Sequence, residues 1–242
     1  MLKCIEELIT IGFKVRGVVT DNHGANVVAF STILRENIGD KCNYFIHPQA
    51  HFKTYVWYDP VHLLKNLRNN LLNRKKLVFP AFNFNLNGTE VSSEAGFITW
   101  GDLHKIHDMD AAMDGNLRMA RKLTYQSLHP GNNKQSVSLA LAVFDDSTIA
   151  AARSYLPSRP DVSGFLLLIN TWWMVSNSKS RYHQNPLGNA VIKDDYRLEF
   201  LSDLAGWFEQ WSNGAANFCL SKQTGNAMIR TLRSQVINNL TY

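Results

Sequence analysis

A chain of 242 residues with 45% apolar residues is long enough for one large domain or two modest ones, and apolar enough to build a core, which excludes a disordered chain. Its formal net charge of +5 is spread along the chain, so it is compatible with an anionic partner but establishes none. Cys4, Cys42 and Cys219 are far apart and form no C-x-x-C pair, so neither a disulfide framework nor a structural zinc site is indicated, and the expected setting is reducing and intracellular.

No apolar run approaches the ~18 residues needed to cross a bilayer. Lys3, Glu6 and Glu7 stand where a signal peptide would have its apolar core, so no membrane partner is expected. Leu2, Ile5, Leu8 and Ile9 have helical spacing, and Gly12 stops that helix. Gly17 to Thr20 follows, with Val18 and Val19 reading as a short buried strand. Asp21, Asn22 and Gly24 then supply turn and cap chemistry for a helix with Val27, Phe30, Ile33 and Leu34 on one face. This puts the Asp21 carboxylate at the C-terminal end of a strand, where ligands bind in open α/β sheets. Such an Asp serves either as a metal ligand or simply as an N-cap.

Tyr44 to His47 is a short run, and Thr54 to Tyr58 is a β-rich strand that ends at Asp59-Pro60. Two strands each closed by an Asp are expected side by side and parallel, with the Val27–Leu34 helix as crossover. So small a parallel sheet normally has further neighbours, and the α/β part reads as cut off at its beginning.

From Pro60 onward the pattern is helical. Val61, Leu64, Leu67 and Leu71 share one face, and Lys65, Arg68, Asn69, Asn73, Arg74 and Lys75 are expected on the other. Lys65, Arg68, Arg74 and Lys75 are therefore candidate nucleic-acid contacts, with an ordinary solvated face as the alternative. Pro80 to Ser93 reads as an extended loop or small irregular arm. Trp100 to Asp110, capped by Thr99, is a helix carrying His104 and His107, which lack a third ligand at a recognisable metal spacing. Asn116 to Lys122 is expected to begin another helix, Leu128 to Ser136 a turn, and Val137 to Tyr155 one long apolar helix. Val162 to Val175 is apolar nearly all round and belongs in the middle of a bundle. Leu198–Trp211 and Thr224–Leu240 are amphipathic helices, so the second half is expected to be all-α.

Four phrases in order carry a family resemblance: Gly17-Val-Val-Thr-Asp-Asn-His-Gly-Ala-Asn26, Asp59-Pro-Val-His-Leu-Leu-Lys-Asn-Leu-Arg-Asn69, Lys122-Leu-Thr124 and Leu220-Ser-Lys-Gln-Thr224. Together they resemble the P-element transposase family, including its THAP-containing domesticated relatives. The resemblance implies an α+β, mostly α chain: a partial RNase H-like segment over residues 1–64, then a helical GTP-binding-type insertion domain over 65–242. In such enzymes three carboxylates hold two Mg²⁺ ions that activate the attacking oxygen. By the motif, Asp21 looks like the second of these, catalytic and metal-binding, with Asp59 and His62 organising the junction. The first Asp should lie before Met1 and the third acid, a Glu, after Tyr242. A lone carboxylate cannot build a two-ion site, so DNA cleavage by this chain is not expected.

For the insertion domain, the resemblance implies that Lys122, Val137, Trp173 and Asn177 contact the nucleotide, GTP, with Trp173 stacking on the base. Met174 stands where the family has a carboxylate that reads guanine. Trp172 and Trp173 are equally readable as core. DNA, a nucleotide and a second copy in a homo-oligomer are the expected partners, in a nuclear setting. A DNA- or protein-binding module without nucleotide is the alternative.

Overall fold

The computed structural model describes residues 1–37, 43–47, 51–115, 117–178, 180–213 and 220–240. The first helix, α1 (Leu2–Thr10), stops where Gly12 takes φ +95°, a left-handed conformation that suits glycine. The amides of Gly12 and Phe13 turn back onto the carbonyls of Ile9 and Leu8, which closes the helix end. The expected parallel unit then forms. Strands β1 (Gly17–Thr20) and β3 (Lys53–Tyr58) pair in parallel from Gly17↔Tyr55 to Thr20↔Tyr58. The helix α2 (Gly24–Asn37) lies between them in sequence, burying Phe30, Ile33 and Leu34. Strand β2 (Tyr44–Ile46) pairs antiparallel with β3, so the sheet order is β1-β3-β2. Gly17 permits the close approach of the two parallel strands, since a Cβ there would fall 2.4 Å from the Trp57 ring. One expectation needs correcting: Val19 is 48% exposed, because β1 is an edge strand, so this is not a fully buried strand.

Asp59 caps α3 (Pro60–Arg74) by accepting from the Val61 amide at 3.0 Å, with Pro60 in the first turn. This helix runs unbroken through the expected division at residue 64. The last helix, α10 (Lys222–Leu240), returns to cover the first sheet. Thr231 Oγ1 accepts from the Tyr58 amide at 3.0 Å, and Ser234 Oγ donates to the Val56 carbonyl at 2.7 Å.

Pro80 to Ser93, expected to be an irregular arm, holds two strands, and two more flank it, so the half expected to be all-α is not. Strands β4 (Lys76–Phe79) and β7 (Gly96–Thr99) pair antiparallel, and β5 (Phe82–Leu86) and β6 (Thr89–Ser93) form a hairpin. Its two-residue turn, Asn87-Gly88, has φ of 52° and 87°, the positive pair that tight hairpins require. Phe82, Phe84 and Leu86 alternate inward, and Phe82 and Phe84 pack edge to face on Trp207 and Phe200 of a later helix, α9 (Tyr196–Asn213).

After α4 (Trp100–Ala111), capped reciprocally by Thr99 and Asp102, the helix expected from Asn116 does not form over 117–122; Asn116 itself lies outside the described residues. The buried Asp110 carboxylate instead takes the amides of Met119 at 2.6 Å and Ala120 at 3.0 Å, drawing that segment into an irregular loop. A short helix α5 (Tyr125–Leu128) follows. The expected Val137–Tyr155 helix is two helices, α6 (Val137–Phe144) and α7 (Asp146–Tyr155). They are split at Asp145, whose ψ of 148° is extended and whose side chain caps the Ser147 amide. The long helix α8 (Pro160–Ser176) is the central core element, with Phe165, Leu166, Leu168, Ile169 and Trp172 buried. The chain is therefore α+β and mostly helical, as expected.

Between α8 and α9, Arg197 gathers a loop. Its guanidinium donates to the carbonyls of Pro186, Leu187, Asn189 and Ala190 and pairs with Asp195, both side chains being buried.

Candidate functional site

A cleft of about 510 Å³ opens between α6–α7, α8 and the loop after α4. Its lining brings together Lys122, Thr124, Ser138, Asp145, Asp146 and Asn170 around an apolar wall that includes Leu139, Leu141, Trp173 and Met174. The local sequence explains each position. Asp110 anchors the loop that presents Lys122, the helix break presents Asp145 and Asp146, and the outer side of α8 presents Asn170, Trp173 and Met174.

Lys122 is largely exposed, and its ammonium donates to Asp145 Oδ2 at 2.7 Å. That hydrogen bond holds the Lys122 pKa above its ordinary value. Burial works to raise the Asp145 carboxyl, but the Lys122 ammonium and the Ser147 hydroxyl and amide outweigh it and hold the pKa low. Asp146 Oδ1 accepts from Asn170 Nδ2 at 2.5 Å. The cleft thus offers a lysine, two carboxyl groups, hydroxyls and an apolar wall. Its chemistry suits a ligand carrying both hydrogen-bond donors and an anionic group.

Of the four residues expected to hold a nucleotide, the structure brings Lys122 and Trp173 into this cleft. Trp173 is only 8% exposed, so it forms part of the wall rather than an open stacking face, and Trp172 is wholly core. Val137 opens α6 beside the lining residue Ser138, and Asn177 is the C-cap of α8; neither lines the cleft. Asp145, Asp146 and Asn170 were not anticipated. The available signal was Asp-Asp-Ser-Thr at 145–148, an N-cap signature inside an apolar run.

Away from the cleft lining, Asp21 and Asp59 follow the adjacent ends of β1 and β3, and the Asp59 amide donates to the Thr20 carbonyl at 2.8 Å. Asp21 Oδ1 accepts from the His23 amide at 3.1 Å and Asn26 Nδ2 at 2.7 Å, bonds that lower its pKa and organise the turn into α2. His62 Nε2 is 3.8 Å from Asp59 Oδ2. Among the described residues, no group of three or more His, Cys, Asp or Glu side chains is placed to hold a metal ion. The donors present therefore do not fit a two-ion Mg²⁺ site, which needs three carboxylates.

The basic face expected on α3 is not on the surface as a unit. Lys65 is 6% and Arg68 0% exposed, because α3 is packed on by α6 on one side and α10 on another. Arg74 is half-buried and Lys75 is exposed at the C-terminal end. Among the described residues, no helix is long and apolar enough to cross a membrane.

No family model matches the chain, and no curated protein matches its sequence. In fold it is similar to a chain of the Drosophila P element transposase strand transfer complex, with a TM-score of 0.74 and 17% identity. The match covers 98% of this chain and 51% of that one, so the chain spans about half the length of that neighbour. The likeness supports the transposase-like fold that the four sequence phrases led us to expect.

Proposed function

We propose that this chain is a P-element-transposase-like protein whose helical half binds a guanine nucleotide in the cleft of Lys122, Asp146 and Trp173. The observation that carries the reading is the convergence, in one cleft, of a lysine, a carboxylate and an aromatic wall from three separate elements. Lys122 would exchange Asp145 for phosphate oxygens, which make comparable charge-assisted hydrogen bonds. Asp146 supplies what Met174 cannot: a carboxylate accepts the N1–H and N2–H donors of guanine, whereas adenine presents an acceptor at N1. The base would lie against Leu139, Met174 and the Trp173 edge, and the hydroxyls of Thr124 and Ser138 are further donors.

Calorimetric titration with GTP, GDP and ATP tests this. The guanine nucleotides should bind more tightly than ATP, and Lys122→Ala should weaken GTP by about tenfold to a hundredfold, as expected for a lost charge-assisted bond. Equal binding of GTP by wild type and Lys122→Ala would contradict the assignment.

The reading includes DNA as a partner and a nuclear place of action, both by analogy with the structural neighbour, and self-association remains part of it. It does not include DNA cleavage by this chain alone. Supercoiled plasmid incubated with the chain and Mg²⁺ or Mn²⁺ should stay intact. Nicking that disappears in Asp21→Ala would overturn this part.

A further inference from the structure

A second cavity, of about 540 Å³, lies at the C-terminal end of α3, between Lys75, the start of α4 and the loop 128–134. Beside Asn73, its basic lining is Lys75, His104 on α4, His129 at the end of α5, and Lys134. Leu72, Trp100 and Leu128 supply its apolar surface, and among the described residues no Asp or Glu lines it. In this it is the reverse of the nucleotide cleft, where two carboxylates face the ligand space.

The imidazoles of His104 and His129 meet edge to face, with ring centroids 4.9 Å apart. His129 is set by Tyr125, which stacks on it at 4.1 Å and whose carbonyl is 3.1 Å from His129 Nδ1. A nitrogen facing a carbonyl carries the proton, so His129 Nε2 becomes a donor only in the charged ring.

Beneath the same loop lies Arg68, fully buried, with Nη2 donating to the Lys134 carbonyl at 2.8 Å. Among the described residues its Nε and Nη1 have no hydrogen-bond partner and it has no carboxylate beside it, and burial lowers its pKa. A buried guanidinium without a carboxylate leaves positive charge uncompensated in the loop's support, where the surrounding low dielectric strengthens its field. The dipole of α3 accounts for a cation at its C-terminus, hence for Lys75. It does not account for Lys134, the histidine pair and Arg68 arriving from elsewhere.

We infer that this cavity is a phosphate-binding pocket, with Lys75 and Lys134 as fixed cations and the paired imidazoles of His104 and His129 as two further donors when protonated. A phosphate matches it because several oxygens can accept from donors arriving on different elements, and the Trp100 and Leu128 surface suits the sugar or base attached to it. The source is either a nucleic-acid backbone or a free phosphate. The pocket is independent of the nucleotide cleft.

Binding should strengthen as the pH falls. Burial and the facing His129 hold the His104 pKa below its ordinary value, with Asp108 opposing and His107 and Lys75 adding to the depression. An anion in the pocket raises it, so binding takes up a proton.

The test titrates the intact chain with inorganic phosphate and, separately, with a 15-nucleotide oligothymidylate at pH 6 and pH 8 in low salt. The double variant Lys75→Gln, Lys134→Gln is run alongside, with circular dichroism as the check on folding. Wild type should bind at least one probe, and oligonucleotide binding should be tighter at pH 6, because phosphodiesters keep the same charge at both pH values whereas inorganic phosphate itself gains a proton. The double variant should lose about tenfold in affinity and show a shallower salt dependence for the oligonucleotide. His104→Gln should flatten the pH dependence. Phosphate binding without oligonucleotide binding assigns the pocket to free phosphate; oligonucleotide binding assigns it to a strand backbone. If neither probe binds, or binding is unchanged in the folded double variant, the pocket is overturned.

Discussion

Arg197→Met is expected to lower the unfolding free energy by about 3–5 kcal/mol, the range for breaking a buried ion pair by removing one partner. The substitution strands the carbonyls of Pro186, Leu187, Asn189 and Ala190 and leaves the Asp195 carboxyl buried without its guanidinium partner. Replacement with Lys should recover little, since one ammonium cannot span the positions reached by a planar guanidinium with five donors. Denaturant midpoints followed by circular dichroism measure this. A loss below about 1 kcal/mol would show that the loop 185–195 does not depend on the clamp.

Asp110→Ala is expected to cost about 2–4 kcal/mol and to act at a distance on the nucleotide cleft. The carboxylate is the shared acceptor for Met119 N, Ala120 N, Arg118 Nε and Tyr155 Oη, so its removal orphans buried donors on two segments. Lys122 follows this loop directly, although Asp110 does not line the cleft. GTP affinity should fall with the stability, whereas a purely local effect would leave it unchanged.

The same residue predicts an acid limb. Burial pushes the Asp110 carboxyl up, but the hydrogen bonds from Ala120, Met119, Tyr155 and Arg118 outweigh it and hold its folded pKa below 3.8. Its contribution is therefore present above pH 3.8 and lost as the pH falls through the lower folded value. Wild type should lose stability across that interval more steeply than Asp110→Ala.

The first sheet was legible because its signals are local: two β-branched or aromatic runs, each ending in an Asp with turn chemistry, specify strands, caps and crossover together. The hairpin was hidden by composition. Phe82-Asn-Phe-Asn-Leu86 alternates strictly, but its Asn and Gly content reads as loop until Asn87-Gly88 is recognised as a two-residue turn. The apolar run over 137–155 concealed a break because Asp145 and Asp146 have the same spacing as an ordinary solvent face. The α3 face failed for a different reason. A helix wheel separates apolar from basic residues but cannot say that two sides will be covered, and α6 and α10 cover the side carrying Lys65 and Arg68.

The candidate site shows the same division. Lys122 and Trp173 were readable from motif resemblance, while Asp146 and Asn170 are joined to them only by the way α7 crosses α8. Asp146, a carboxylate in the same cleft as Met174, comes from another helix, which no spacing within α8 could reveal.

The most direct measurement is the structure of the chain crystallised with GTP. The account predicts the nucleotide in the cleft between α6–α7 and α8, its guanine edge on Asp146, its ring against Met174 and Trp173, and Lys122 turned from Asp145 to a phosphate. A nucleotide seated elsewhere, or an empty cleft at saturating GTP with the Lys122–Asp145 pair intact, would contradict it.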